Sequence, residues 1–215
     1  MKLIDLTVKE FIAQVDSSSP APGGGSVAAL SSTLGIALTR MVGHLTVGKK
    51  KFKAFSSEIQ LEFADVMSAL EMIKYQMVLL IDQDTDAFNE IMKAFQLPKE
   101  TDHDIEVRNQ AIEQATEKAI MVPLKVASLS VAALHHLPFM IKYGNKTAIS
   151  DLGVSTLNLS SGIDGACMNV LINLPGLKDH IAASQFRKQV DQLILEAHQI
   201  RDEVLELVYN SLKEN

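Results

Sequence analysis

Apolar positions along this chain recur at intervals of three and four residues, the spacing that lines one face of a helix, rather than at the intervals of two that mark a strand. Between residues 52 and 95 there is no Pro and no Gly, and Phe55, Ile59, Phe63, Val66, Leu70, Ile73, Met77, Leu80 and Ile81 keep the helical spacing, which predicts one very long helix. At about 1.5 Å per residue such a helix reaches about 66 Å, longer than a small domain is wide. The expectation is a bundle extended by a partner chain rather than a break near residues 82–86.

The flanking segments read the same way. Thr7 and Glu10 have capping-box spacing, and Phe11, Ile12 and Val15 supply a short apolar stripe, so a brief first helix is predicted. The run SSSPAPGGG then breaks the periodicity. From Ser26 to Thr46 a helix carries small residues at fourfold spacing, Ser31, Gly35, Thr39 and Gly43, which let a second helix approach closely. Leu97-Pro98 ends the long helix. Thr101 or Asp102 caps the next, which runs to about Leu134 with a kink expected at Pro123. Residues 126–141 are almost wholly apolar and are expected to be buried all round, with Pro138 starting a new piece. Tyr143-Gly144-Asn145 marks a turn, Asp151 to Leu174 is a further helix rich in small residues, and Pro175-Gly176 ends it. Lys178 to Leu212 is a plain amphipathic helix with Val190, Leu193, Ile194, Ala197, Ile200, Val204, Leu207 and Val208 turned inward. No repeat and no linker divides the chain. The reading is one all-α domain over residues 1–215, a bundle of long antiparallel helices.

Composition narrows the function. With 47% hydrophobic and 21% charged residues, the 215-residue chain is well stocked for a core. The net charge of -6 argues against a general nucleic-acid surface. Cys167 is the only cysteine, so no internal disulfide can form and a reducing, cytoplasmic setting is expected. Asp5, Lys9 and Glu10 interrupt what a signal peptide would need as an apolar core. The longest uncharged run, Ser17 to Thr39, opens with SSSPAPGGGS and leaves about 13 usable positions against the ~20 of a spanning helix, so no membrane segment is expected.

Within this acidic chain, no Asp or Glu occurs from Ser17 through Ser57, while Arg40, Lys49, Lys50, Lys51 and Lys53 do. An embedded basic patch of this kind can collect an anionic ligand, or serve only as a solvated helix end. In Pro20-Ala21-Pro22-Gly23-Gly24-Gly25-Ser26, three glycines ahead of a helix expose backbone N–H groups to a ligand. Gly23, Gly25 and Ala28 satisfy G-x-G-x-x-A, but no strand precedes them, so a dinucleotide site is excluded. Asp82, Asp84 and Asp86 crowd into five residues. On a helix Asp82 and Asp86 share a face while Asp84 points elsewhere, and close like charges raise a carboxyl pKa toward useful acid or base work. Asn145, Asp151, Asn169 and Asn173 stand in apolar surroundings. The six histidines show no zinc-ligand spacing, so no metal is expected.

Taken in order, SSSPAPGGGSVAAL, MVGHLTVGKKKF, LIDQDTDAFNEIMKAFQLPK, KYGNKTAISDLGV and GACMNVLINL resemble the cyclodeaminase/cyclohydrolase family, the folate-processing helical domain also found as the C-terminal half of formiminotransferase-cyclodeaminase. The resemblance implies an all-helical homodimer acting on a tetrahydrofolate one-carbon derivative, with no cofactor beyond that substrate. The activity implied is closure of formiminotetrahydrofolate to methenyltetrahydrofolate with loss of ammonia. Hydrolysis of methenyltetrahydrofolate, or folate binding without catalysis, are the alternatives. It assigns Pro22, Gly23, Gly24, Gly25, Ser26 and Asn145 to pterin or one-carbon contacts and Lys49, Lys50 and Lys51 to the glutamate tail, possible polyglutamate included. Asp82, with Asp86 as its helical neighbour, is the candidate acid/base, and Asp151 competes with it. The hypothesis requires the glycine turn, the lysines and a carboxyl to meet in one cleft.

Overall fold

The computed structural model describes residues 2–213. Among them there is no strand. Eight helices follow in order: α1 Val8–Val15, α2 Gly24–Thr46, α3 Lys50–Lys53, α4 Ser57–Phe95, α5 Asp102–Leu134, α6 Leu137–Tyr143, α7 Ile149–Asn173 and α8 His180–Lys213, with short 3-10 turns at Leu3–Asp5, Lys146–Ala148 and Leu174–Gly176.

Local chemistry sets the helix ends. Thr7 and Glu10 form the reciprocal capping box that their spacing predicts, and Thr101 with Asp104 forms a second one at α5. α4 is a single helix of 39 residues, capped by Ser56. Its length needs no break, because it lies along α2 and α5 and runs past the end of α2. α5 continues through Pro123 to Leu134, and Pro138 enters in the first turn of α6, where the missing N–H costs nothing.

α2 is the central element, and it packs on α7 along its length, on α4 beside it, and more lightly on α5. The small residues explain the close approach. A Cβ on Gly35 would meet Leu159 and the Ser155 carbonyl at 2.9 Å, and one on Gly162 would meet the Ser32 hydroxyl at 1.9 Å. Buried hydroxyls bridge the same seam: Thr39 and Ser155 share a 2.7 Å hydrogen bond, and Ser130 donates to Ser32 at 2.7 Å. Pairing these groups matters because an unpartnered buried hydroxyl costs about 1–3 kcal/mol. Arg40, which the sequence counts into the basic segment, is buried here; it donates to the Met67 carbonyl and pairs with Glu71 at 3.1 Å. The usable patch is therefore lysine alone.

One expectation, in α8, needs correction. The first helix forms where its capping box places it, with no residue fully buried and Phe11 packed half-buried against the core. In α8, Val190, Ala197, Val204 and Val208 are buried, but Leu207 is exposed, one position round the helix from Val208. Two described stretches, Gly24–Thr46 and Asp102–Tyr143, are long and apolar enough by count to cross a bilayer, and 61% and 56% of their windows are buried inside the bundle. Tertiary packing accounts for their apolarity as core helices.

Candidate active site

The N-terminal end of α2 borders a cavity of about 290 Å³, lined by Pro20, Ala21, Gly23, Gly24 and Gly25 from the turn, Asp84 and Phe88 from α4, Ala119 from α5, and Asn169 and Asn173 from α7. α2 begins two residues earlier than its periodicity indicates, at Gly24, so the glycines are the helix terminus itself. The first helical bond is Val27 N–H to Gly23 O, at 3.2 Å. The N–H groups of Gly24 and Gly25 precede it and have no carbonyl within the helix.

Absence of side chains is what lets this end close up. A Cβ at Gly25 would fall 1.9 Å from Asp84 Oδ1, and one at Gly24 would fall 3.2 Å from Asn169 Nδ2. Asp84 therefore lies directly against the helix terminus. The Ser26 hydroxyl donates to the Ile81 carbonyl at 2.8 Å and stands 3.3 Å from Asp84 Oδ2. Burial pushes the Asp84 carboxyl above the usual carboxylate range, while hydrogen bonds from the Ser26 side chain and backbone pull it partly back. A carboxyl whose neutral form is favoured by burial is suited to giving and taking a proton as an acid or base.

The amide side of the cavity is shaped by a proline. Pro123 has no N–H to offer the carbonyl of Ala119, four residues earlier. Asn173 Nδ2 takes up that carbonyl at 3.3 Å and also donates to Asn169 O at 2.8 Å, while Asn169 Nδ2 donates to Gly165 O at 2.8 Å. Both amide nitrogens are spent on backbone. The two carboxamide oxygens have no donor among the described residues, and they remain acceptors for a ligand's N–H groups.

Asp82 is placed differently. Its Oδ1 accepts the Leu3 N–H at 2.6 Å and tethers the N-terminal segment to α4. Asp86 is exposed and does not line the cavity. The helical geometry is as the spacing predicts, but the face turned to the glycines is that of Asp84. No local pattern in the chain separates Asp84 from its two neighbours; the close approach of Gly25 to Asp84 appears only in the fold.

The remaining predicted residues sit at the other end of α2. Lys49 caps α3, and Lys50 and Lys51 are exposed on it. Asn145 N–H donates to the Thr46 hydroxyl at 2.8 Å, and its side-chain oxygen accepts from Thr147 N at 3.1 Å, capping the 3-10 turn before α7. Lys146 donates to the Ile141 carbonyl, and burial, reinforced by the charge of Lys51, lowers its pKa from the usual lysine range. Asp151 is half-buried in the first turn of α7, at this same end. Edge-to-face contacts among Phe52, Phe63, Phe55 and Tyr143 hold α3 and α6 together here. The 23 residues of α2 separate the two ends by about 34 Å. Within one chain the lysines and Asn145 do not share a cleft with the glycines and Asp84.

The family model described as formiminotransferase-cyclodeaminase matches residues 7–192, which take in α1 to α7 and the first part of α8. The chain belongs to this family. The methenyltetrahydrofolate cyclohydrolase of Methylorubrum extorquens is 33% identical over 202 residues, 94% of this chain and 95% of that protein. The formimidoyltransferase-cyclodeaminase of Rattus norvegicus is 34% identical over 195 residues, 91% of this chain but 35% of that protein, so the chain spans about a third of the length of that relative. The crystal structure of formiminotetrahydrofolate cyclodeaminase from Thermotoga maritima superposes with a TM-score of 0.76 at 25% identity, covering 97% of this chain and 96% of that one. The formiminotransferase-cyclodeaminase family is thus matched here by a chain whose whole described length is the helical unit.

Proposed function

We propose that this chain is a folate one-carbon enzyme, a formiminotetrahydrofolate cyclodeaminase, with Asp84 as its acid/base. The observation that carries this reading is the raised carboxyl of Asp84 packed against the glycine terminus of α2 in a cavity of mixed polar and apolar lining. About 290 Å³ lies at the small end of ligand pockets, which run ~300–1,000 Å³, and suits a bicyclic ring with the rest of the molecule outside. The pterin amino and ring N–H groups would meet the carboxamide oxygens of Asn169 and Asn173. Its carbonyl would meet the N–H groups of Gly24 and Gly25.

The chemistry asks for proton transfer and positioning. N10 attacks the formimino carbon on N5, and the carboxylate of Asp84 takes the N10 proton. With the formimino group starting protonated (C=NH2+), the proton taken from N10 then passes to the departing NH2, the C–N bond breaks, and NH3 leaves while the positive charge stays on the methenyl bridge. Hydrolysis of the methenyl bridge is the second reading, favoured by the end-to-end match to the Methylorubrum extorquens cyclohydrolase. There Asp84 would take the proton from the attacking water. In either case we infer a cytoplasmic homodimer whose only cofactor-like component is the tetrahydrofolate substrate.

Methenyltetrahydrofolate absorbance decides between them. Its appearance from formiminotetrahydrofolate, lost in Asp84→Asn, supports the deaminase; its accelerated loss from the methenyl compound supports the hydrolase. Parental turnover in Asp84→Asn overturns the assignment of Asp84, and failure of the wild-type chain with both substrates overturns the enzyme reading.

A further inference from the structure

The cavity at the start of α2 has two chemically opposite sides. Toward the glycine turn it offers donors, the N–H groups of Gly24 and Gly25, which precede the first helical bond. Toward α7 it offers acceptors, because the carboxamides of Asn169 and Asn173 have their nitrogens tied to backbone and their oxygens without a donor among the described residues. The two sides adjoin: Asn169 stands against Gly24, where a Cβ would come 3.2 Å from its amide nitrogen.

An asparagine in a pocket is ordinarily ambiguous. Half a turn of the carboxamide exchanges donor for acceptor, so either edge of a ring can be met. Asn173 is denied that turn. Its nitrogen is shared by two carbonyls, Asn169 O at 2.8 Å and Ala119 O at 3.3 Å, and rotation would set oxygen against oxygen at both. The second of these carbonyls is open only because Pro123 lacks the N–H that would close the helical bond to it. Asn169 is held in the same sense by Gly165 O, at 2.8 Å.

We propose that Asn169 and Asn173 are specificity residues that admit the amino-oxo edge of a pterin and reject its dioxo and diamino analogues, and that Pro123 is the positioning residue that fixes Asn173 as an acceptor. The inference rests on the folate reading above and says which feature of that ligand is read. A pterin carries amino and ring N–H donors beside a carbonyl, which matches acceptors on one side of the cavity and donors on the other. In the dioxo analogue, lumazine, the amino group is replaced by a second carbonyl, which would face a fixed carboxamide oxygen with no proton between them. In diaminopteridine the carbonyl is replaced by a second amino group, which would face the N–H groups of Gly24 and Gly25 with no acceptor between them. Rotation relieves neither mismatch, since the glycine donors are backbone and the carboxamides are held. A site built around hydrogen bonds to a ligand discriminates strongly against an analogue that leaves its polar groups unpaired. Asp84 lies against Gly25 and Ser26 and serves the one-carbon centre, not this edge.

Fluorescence titration of the full chain with pterin, lumazine and diaminopteridine, at a pH where all three rings are neutral, tests this. The wild-type chain is expected to bind pterin at least about tenfold more tightly than either analogue. Asn173→Ala should bring pterin and lumazine to within about threefold of each other. Pro123→Ala should keep pterin affinity within a few fold and melt no lower than the parent, while its preference for pterin over lumazine falls about threefold to fivefold. A purely structural role for Pro123 would move the melting temperature, or both affinities together, and leave the preference alone. In the Asn173→Ala background, Pro123→Ala should change the preference no further, because the proline acts through that side chain. Equal binding of pterin and lumazine by the wild-type chain overturns the specificity assignment, as does a preference lost in Asp84→Asn but kept in Asn173→Ala. Failure to bind pterin in a chain that turns over either folate overturns it too, and all three results leave the folate reading standing. A preference unchanged in Pro123→Ala overturns the role of the proline. No binding of pterin together with no turnover of either folate overturns the folate reading and this inference with it.

Discussion

The two ends of α2 are built from opposite materials. At its start, Gly23, Gly24 and Gly25 bring backbone into contact with a buried carboxyl, and nothing there carries positive charge. At its finish, aromatic rings clamp a short helix whose lysines stand in solvent. The first end is a place where proton affinity is altered by burial. The second is a place where charge is displayed in solvent, with only partial desolvation at Lys146. Chemistry that moves protons needs the first kind of environment, and recognition of a flexible anionic tail needs the second. A single helix supplies both by keeping them apart.

Substitutions can break that division, and their effects should be graded. Asp84→Asn is expected to lower kcat roughly 10²–10⁴-fold, the range for loss of a general acid/base, with little change in KM. Asp82→Asn should leave kcat within about threefold and cost at most about 1 kcal/mol, because the Leu3 N–H then meets a neutral carboxamide oxygen instead of a carboxylate. Steady-state kinetics and thermal melts on the pair separate the faces. Asp84→Asn should be more stable than the parent at neutral pH. A carboxyl whose folded pKa is raised favours folding below its unfolded pKa, and that stability is lost as pH rises through the folded value. The difference in Tm should shrink as pH falls below about 4, near the ordinary aspartate pKa.

Gly25→Ala ranks next. Its Cβ must displace the Asp84 carboxyl, so roughly a 10²-fold loss of kcat is expected from misplacement, with about 1–3 kcal/mol of destabilisation. The triple lysine-to-alanine variant should raise KM for a polyglutamylated substrate roughly tenfold, and less at high salt, because the lysines are exposed and screened. The monoglutamate should be affected least. The smallest effect belongs to Pro123→Ala, which restores a helical donor to the Ala119 carbonyl. KM should rise only a few fold, with melting temperature held or raised, as Asn173 loses one of its two backbone anchors.

Much of this was legible beforehand because it is local. Helix periodicity, the Thr7 capping box and the glycine turn depend on residues within a few positions of one another, and they are found where those neighbours dictate. The small-residue stripe of α2 also announced a close neighbour, and α7 is that neighbour. Asp84 was passed over for a physical reason. Three acids in five residues differ only in which face they occupy, and which face meets Gly25 depends on the rotation of α4 about its axis, set by core packing of Phe63, Leu70 and Met77 far along the helix. Asn173 was noticed as an isolated polar group, but its partner is created by Pro123, fifty residues earlier in the chain and four positions beyond the carbonyl it abandons.

The sequence by itself determined the helices, their order, the small-residue seam and the stock of chemical groups, since each follows from short-range sterics, hydrogen bonding and periodic apolarity. Only the tertiary structure decided which groups meet. Antiparallel packing carried Asn169 and Asn173 to the start of α2 and Asn145 to its finish, and the rotation of α4 buried Asp84 rather than Asp82 against the glycines. Proximity across a fold is a sum of many weak contacts spread over the whole chain, and no local pattern encodes it.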